Sequence, residues 1–137
     1  MSKNLTKLKS ILLVDDDHSN NFLNKIFIDH LDLNIEVDIV LNGKEALHHI
    51  QTSLIKPCLL ILDIRMPVMD GWEFLEAFHE LEEEIKDQIV IVMITISMEQ
   101  VDLIKARKNP YVAEYIQKPL SDVKFSNLIK RHFVKNS

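Results

Sequence analysis

Asp15-Asp16-Asp17, Asp63, Thr95 and Lys118 each follow directly on a run that reads as a strand: Ile11–Val14, Leu59–Leu62, Ile89–Ile94 and the short Tyr115-Ile116-Gln117. In an open parallel α/β sheet the carboxyl ends of the strands meet along one edge, where such folds place their ligands. Carboxylates, a hydroxyl and an ammonium from separate stretches would therefore converge. Carboxylates that close together repel one another, and one would stay protonated unless a cation joined them. A hard divalent ion such as Mg²⁺ resolves that conflict, taking one or two carboxylates together with waters and phosphate oxygens. A carboxylate attacks a phosphoryl group poorly because like charges oppose it, and a metal with an ammonium neutralises that charge in the transition state. Lys118 suits the ammonium and Thr95 the hydroxyl donor. Asp63 suits the nucleophile, since it stands alone at the tip of a central strand with a loop opening after it, and the product would be an aspartyl phosphate.

The elements that must position these residues read as five repeats of strand then helix. Strands are expected near Ser10–Val14, Glu36–Val40, Leu59–Leu62, Ile89–Ile94 and Glu114–Gln117. Helical stripes at 3.6-residue spacing follow them. The expected buried faces are Phe22, Leu23, Ile26, Phe27 and Leu31; Ala46, Leu47 and Ile50; Phe74, Leu75 and Phe78; Met98, Val101 and Ile104; and Phe125, Leu128, Ile129, His132 and Phe133. Asn42-Gly43 signals a turn, and Ser97 with Gln100 reads as a capping box. Strands one, three and four are almost wholly apolar, as strands covered on both faces should be; strands two and five carry Glu36, Asp38, Glu114 and Gln117, which suits edges. The fold class is therefore α/β, a five-stranded parallel sheet of order 2-1-3-4-5 with helices on both faces (flavodoxin-like, doubly wound). Strands one and three meet where the winding reverses, which puts Asp15, Asp16 and Asp63 in one crevice.

The whole chain is consistent with this. Its 137 residues suit a single domain, 1–137 with a core over about 8–134. A net charge of -5 argues against a nucleic-acid binder driven by phosphate contacts. Cys58 is the only cysteine, and its place at the mouth of an apolar strand suggests a buried thiol in a reducing compartment. Lys3, Lys7 and Lys9 have no continuous apolar stretch behind them, so neither a signal peptide nor a membrane span is expected and the cytoplasm is the default.

Leu13-Val14-Asp15-Asp16, Leu62-Asp63-Ile64-Arg65-Met66-Pro67-Val68-Met69-Asp70-Gly71, Met93-Ile94-Thr95 and Tyr115-Ile116-Gln117-Lys118-Pro119, in this order and spacing, resemble the receiver domains of two-component response regulators. The resemblance covers essentially the whole chain. It implies that Asp63 is the phosphoacceptor. It implies that Asp16, Asp63 and the backbone carbonyl of Arg65 coordinate Mg²⁺, with Asp15 holding the ion through water. Thr95 and Lys118 would bind the phosphoryl group, and Tyr115 matches the aromatic that turns inward when the threonine moves. The same likeness implies a cis Lys118-Pro119 bond, a phosphohistidine donor on a histidine kinase or phosphotransfer protein, and a signalling phosphoacceptor rather than an enzyme. With no output domain expected, the signal would leave through a partner protein at the face made by strand five and the helices either side of it, with no nucleic acid or membrane involved. A phosphorelay carrier, a diffusible signal and a phosphate sink are all compatible with these residues. Two positions depart from the family pattern: Ile96 where a small residue is usual, and Lys108-Asn109-Pro110-Tyr111 where a glycine-containing turn is usual.

Plainer readings stand beside these. Asp17 reads best as a helix cap. Thr95 could be an ordinary β-branched strand residue, Lys118-Pro119 an ordinary turn and Tyr115 a half-buried edge aromatic. His48-His49 and the other histidines lack metal-ligand spacing and read as solvated surface, Glu80-Leu81-Glu82-Glu83-Glu84 as the solvated end of the third helix, and Trp72 as a partly exposed residue at that helix's start. Asp-x-Asp followed by threonine and lysine also resembles haloacid-dehalogenase-type phosphatases. Those need a further acidic pair after the lysine, where this chain has only Asp122, and have no use for Asp63. A phosphorylation-independent binding module of the same fold is the remaining alternative.

Overall fold

The computed structural model describes residues 7–134; Lys3 and the outer ends of the expected 1–137 domain lie outside them. The apolar runs form β1 (Ser10–Val14), β3 (Cys58–Asp63) and β4 (Ile89–Thr95), which are buried almost throughout. The mixed runs form β2 (Glu36–Val40) and β5 (Val112–Gln117), both partly exposed. All pairings are parallel and the order is β2-β1-β3-β4-β5, as the strand compositions require. β5 starts earlier than expected and joins β4 through an irregularity that skips Ala113.

Between the strands run α1 (His18–Asp29), α2 (Gly43–Thr52), α3 (Gly71–His79), the short α4 (Glu83–Lys86), α5 (Gln100–Lys108) and α6 (Asp122–Phe133). One core lies between the sheet and α2, α3 and α4, built from residues such as Leu12, Leu60, Ile50, Phe74 and Phe78. The other lies between the sheet and α1 and α6, around Ile28, Ile61, Ile94, Phe125 and Leu128. The stripes expected on α2, α3 and α6 do face these cores, except that His132 is only half-buried and turns to Glu114.

Three local expectations are corrected. On α1 the buried residues are Asn21, Asn24 and Ile28. Phe27 and, just past the helix, Leu31 pack against the core as expected, while Phe22 and Leu23 are exposed, Phe22 at 66%. The Asn21 side chain donates to the Asp15 carbonyl at 2.8 Å, so a polar demand beneath the strand end displaces the apolar stripe. On α5 the residue before the first turn is Glu99, with no side-chain cap bond; the buried side chains are Asp102 and Ala106, and Met98, Val101 and Ile104 are exposed. The glutamate run does not extend α3, which ends at His79; its last two glutamates open α4 instead. Lys118-Pro119 is cis as expected, and Lys56-Pro57 is cis as well. Cys58 is buried, and burial pushes its thiol up to about 11, partly offset by Ser10.

Candidate functional site at the strand ends

Parallel register alone brings the site residues together. Val14 pairs with Leu62, so Asp15 and Asp63 are the next residues of neighbouring strands; Asp63 pairs with Ile94, so Thr95 follows; Thr95 pairs with Gln117, so Lys118 follows. They line one cleft of about 290 Å³ with Asp16, Asp17, Arg65, Ile96, Ser97, Glu99 and Asp102.

Asp15 is buried and fully engaged. Its carboxylate accepts from Lys118 Nζ at 2.9 Å, from Asn20 Nδ2 at 2.7 Å and from the Asp17 backbone N–H at 2.9 Å. Asp17 caps α1 by accepting from the Asn20 backbone N–H, as its plainer reading holds. Asp16 is exposed on the rim. Asp15, Asp16 and Asp63 each offer a carboxylate oxygen, and these atoms lie within 4.8 Å of one another. An all-oxygen, all-anionic set of this size fits a hard divalent cation such as Mg²⁺.

Asp63 is held by close packing behind it. Gly71 donates its N–H to the Ile64 carbonyl at 2.8 Å, and a Cβ on Gly71 would stand 2.7 Å from the Asp63 carbonyl oxygen. Only glycine lets the start of α3 approach the strand end so closely. Burial first, then the Asp15 charge, push the Asp63 carboxyl up to about 6, against the pull of Lys118 at 3.4 Å. Burial works against the Lys118 charge too, but the two carboxylates outweigh it and hold its pKa above the ordinary lysine value. One ammonium between two carboxylates leaves the site one positive charge short.

Thr95 Oγ1 donates to the Ser97 carbonyl at 2.9 Å. The Tyr115 hydroxyl is buried without a hydrogen bond of good geometry; burial raises its pKa, and the nearby Thr95 hydroxyl offsets part of that. Arg65 lies two residues after Asp63 at the mouth of the same cleft, its side chain reaching Asp102. Ile96 projects from the rim, 74% exposed.

Residues 11–130 match the family model of the response regulator receiver domain. The chain belongs to this family. A two-component response regulator from Cytophaga hutchinsonii has 29% identity and a TM-score of 0.79, covering 91% of this chain and 96% of that one. A response regulator receiver protein from Dyadobacter fermentans has 25% identity and a TM-score of 0.80, covering 90% of this chain and 96% of that one. The probable transcriptional regulator ycf29 of Porphyra purpurea is 32% identical over 93% of this chain and 58% of its own length. The hybrid signal transduction histidine kinase L of Dictyostelium discoideum is 30% identical over 91% of this chain and 7% of its own. The chain thus spans 58% of the first of these curated relatives and 7% of the second, under two thirds of either.

The receiver domain is a phosphoacceptor module of two-component signalling, whose family works with histidine kinases or phosphotransfer proteins. Among its described residues no helix is long and apolar enough to cross a membrane. All the site residues expected from sequence gather at this one edge: Asp15, Asp16, Asp63, Arg65, Thr95 and Lys118 in the cleft, Tyr115 beside Thr95. Trp72 is half-buried at the start of α3, as expected, but it reaches the cleft only through its bond to Asp102. The sequence pointed to no role for Asn20, Asn21 and Asp102, and Gly71 stood in it only as part of a motif. The two asparagines, adjacent in the first turn of a helix otherwise read as amphipathic, were the available signal. His18, His30 and His48 are exposed, as expected, and so is His79, though it meets Tyr111 at 2.6 Å. His49 and His132 are half-buried instead, meeting Asp38 at 3.1 Å and Glu114 at 2.6 Å; these three contacts lie away from the cleft.

Proposed function

We propose that Asp63 takes a phosphoryl group from a phosphohistidine on a histidine kinase or phosphotransfer protein. The observation that carries this reading is the pairing of Lys118 with both Asp15 and Asp63 at the one edge where Thr95 also ends its strand. An Asp63 oxygen attacks phosphorus, the P–N bond to the donor breaks, and its electron pair leaves with the imidazole. Asp16, Asp63 and the Arg65 backbone carbonyl would hold Mg²⁺, with Asp15 joining through water. When bound, the ion supplies the positive charge that one ammonium leaves missing. Asn20 and the Asp17 N–H fix the Asp15 carboxylate, so Lys118 is anchored beside Asp63 before the donor arrives. Thr95 must give up the Ser97 carbonyl to donate to a phosphoryl oxygen, and its departure changes the surroundings of the Tyr115 hydroxyl.

The phosphorylated form would shift a two-state equilibrium and signal to another protein through the face of α5, β5 and α6. Val101 and Ile104, exposed on α5, and Met98, exposed just before it, support that face as a contact surface. The acidic net charge argues against binding driven by nucleic-acid phosphates.

A small acyl phosphate with Mg²⁺ should attach an alkali-labile label to the wild-type chain and none to Asp63→Asn. Label that survives alkali, or that persists in Asp63→Asn, overturns Asp63 as the nucleophile.

A further inference from the structure

Asp102 is a buried charge that the chemistry above does not use. It lies in the first turn of α5 and is 5% exposed, on a helix that turns Val101 and Ile104 outward instead. A buried carboxylate is tolerated only when it is paired. Its partners come from two other places in the chain. Arg65 Nη2 donates to Oδ2 at 3.1 Å and Trp72 Nε1 donates to Oδ1 at 3.2 Å. Lys105, one turn along α5, stands over the Trp72 ring at 5.2 Å. Glu99, just before α5, lies 3.7 Å from the same guanidinium. The start of α5 is thus fastened to the loop after β3 and to the start of α3 by one guanidinium and one indole.

That guanidinium also belongs to the cleft. Arg65 follows Asp63 by two residues, and Arg65, Asp102 and Asp63 line the same cavity. The Arg65 side chain is 67% exposed, so it can reorient within the cleft without unpacking anything. A phosphoryl group on Asp63 brings close to two negative charges and three acceptor oxygens, and arginine pairs with such a group through two parallel bonds. One guanidinium cannot serve both Asp102 and the phosphoryl oxygens.

We propose that Arg65 is a further phosphoryl-binding residue, held in reserve by Asp102, and that its transfer to phosphorylated Asp63 unfastens the first turn of α5. Asp102 is then left with Trp72 alone. A buried carboxylate short of its counter-charge drives α5 to a position where water reaches it. This links chemistry at Asp63 to the exposed apolar face of α5 by a charge exchange, separate from any movement of Thr95 and Tyr115. The inference rests on Asp63 being the phosphoacceptor.

The test combines labelling by a small acyl phosphate, located by mass, with amide hydrogen exchange over residues 100–104, in the full chain and in Arg65→Ala, Arg65→Lys and Asp102→Asn. In the wild type, labelling at Asp63 should speed exchange over residues 100–104 at least threefold. Asp102→Asn, which keeps the volume but frees the guanidinium, should show fast exchange before labelling and should label several-fold faster. Arg65→Ala should exchange fast before labelling, label about tenfold more slowly and show no further change on labelling. Arg65→Lys, a cation without the fork, should fall between. Label at Asp63 with unchanged exchange over residues 100–104 in the wild type, or wild-type labelling rates in both Arg65→Ala and Asp102→Asn, overturns the exchange and leaves the phosphoacceptor reading standing. Absence of label at Asp63 in the wild type removes that reading and the exchange with it.

Discussion

Lys118 Nζ stands 3.4 Å from Oδ1 of Asp63, near enough for an ion pair but farther than the 2.9 Å bond it makes to Asp15. The ammonium is thus committed first to Asp15 and only partly neutralises Asp63. A carboxylate left in that position is an unstable anion at rest, and it gains when a cation or an electrophile reaches it.

That state has a consequence for stability. The Asp63 carboxyl, pushed up to about 6 by burial and by Asp15, favours its protonated form in the folded chain more than in the unfolded one. The stabilisation from that proton is complete below the ordinary aspartate range and is lost as pH rises through about 6. Without Mg²⁺, Asp63→Asn should match wild-type stability near pH 4 and exceed it by on the order of 2 kcal/mol at pH 7.5. Glu114, held below its ordinary value chiefly by the Arg131 guanidinium, acts in the opposite sense but equally in both proteins, so the difference isolates Asp63. Denaturant melts across this range decide it, and a difference that does not change with pH contradicts the argument.

Asp16 offers the most accessible of the three clustered carboxylates. Asp15 is already bonded to Lys118, Asn20 and Asp17, so Asp16 is the carboxylate most ready to share a cation with Asp63. Asp16→Ala should weaken Mg²⁺ binding at least tenfold, which corresponds to about 1.4 kcal/mol. Calorimetry measures this directly, and Trp72 gives a second signal through Asp102 and Arg65. Equal affinities in the two proteins would contradict the site.

The sheet and the strand-end residues were legible because both follow from one-dimensional features. An apolar run long enough to cross the sheet places whatever follows it at the same edge, and parallel register aligns those ends. The inward faces of α1 and α5 were not legible. Periodicity assigns Phe22 and Leu23 to the core, but Asn21 turns inward because the Asp15 carbonyl needs a donor. Periodicity likewise assigns Met98, Val101 and Ile104 to the core, but Asp102 turns inward because Arg65 and Trp72, remote in sequence, converge on it. In both helices a buried polar contact near the cleft outweighs the apolar stripe, and such a contact is visible only once the distant partner is in place.

The loop that opens after Asp63 carries a strained residue. Val68 adopts φ 69°, a left-handed conformation that β-branched residues rarely take, and Met69 N–H donates to the Pro67 carbonyl at 2.7 Å across it. Its side chain is exposed, so little packing offsets that strain. The bond from residue i to i+2 with a positive φ between makes this a strained form of γ-turn, a geometry that glycine takes with no side chain to clash. Val68→Gly should stabilise the fold by about 1 kcal/mol, the relief of strain exceeding glycine's entropic cost. Equilibrium unfolding in denaturant tests this; a variant no more stable than wild type shows that the turn does not hold strain at Val68.

Ile96 is the residue of the cleft rim most out of keeping with its neighbours. Its exposure of 74% argues against a role in packing α5, while its place in the cleft lining puts a branched apolar group where only acids, hydroxyls and cations otherwise gather. Hydrolysis of an aspartyl phosphate needs a water, or a phosphatase's side chain, to approach phosphorus in line with the bond that breaks. A bulky side chain at the mouth obstructs that approach, and lost approach geometry changes a rate by orders of magnitude. The phosphorylated form should therefore persist, and Ile96→Ala should shorten its lifetime several-fold without loss of fold stability, since so exposed a side chain contributes little burial. Following the decay of acyl-phosphate-labelled wild type and Ile96→Ala in Mg²⁺, after removal of the donor, measures the two lifetimes. An unchanged or longer lifetime in Ile96→Ala removes the shielding argument and assigns persistence, if it is observed, to the cleft beneath.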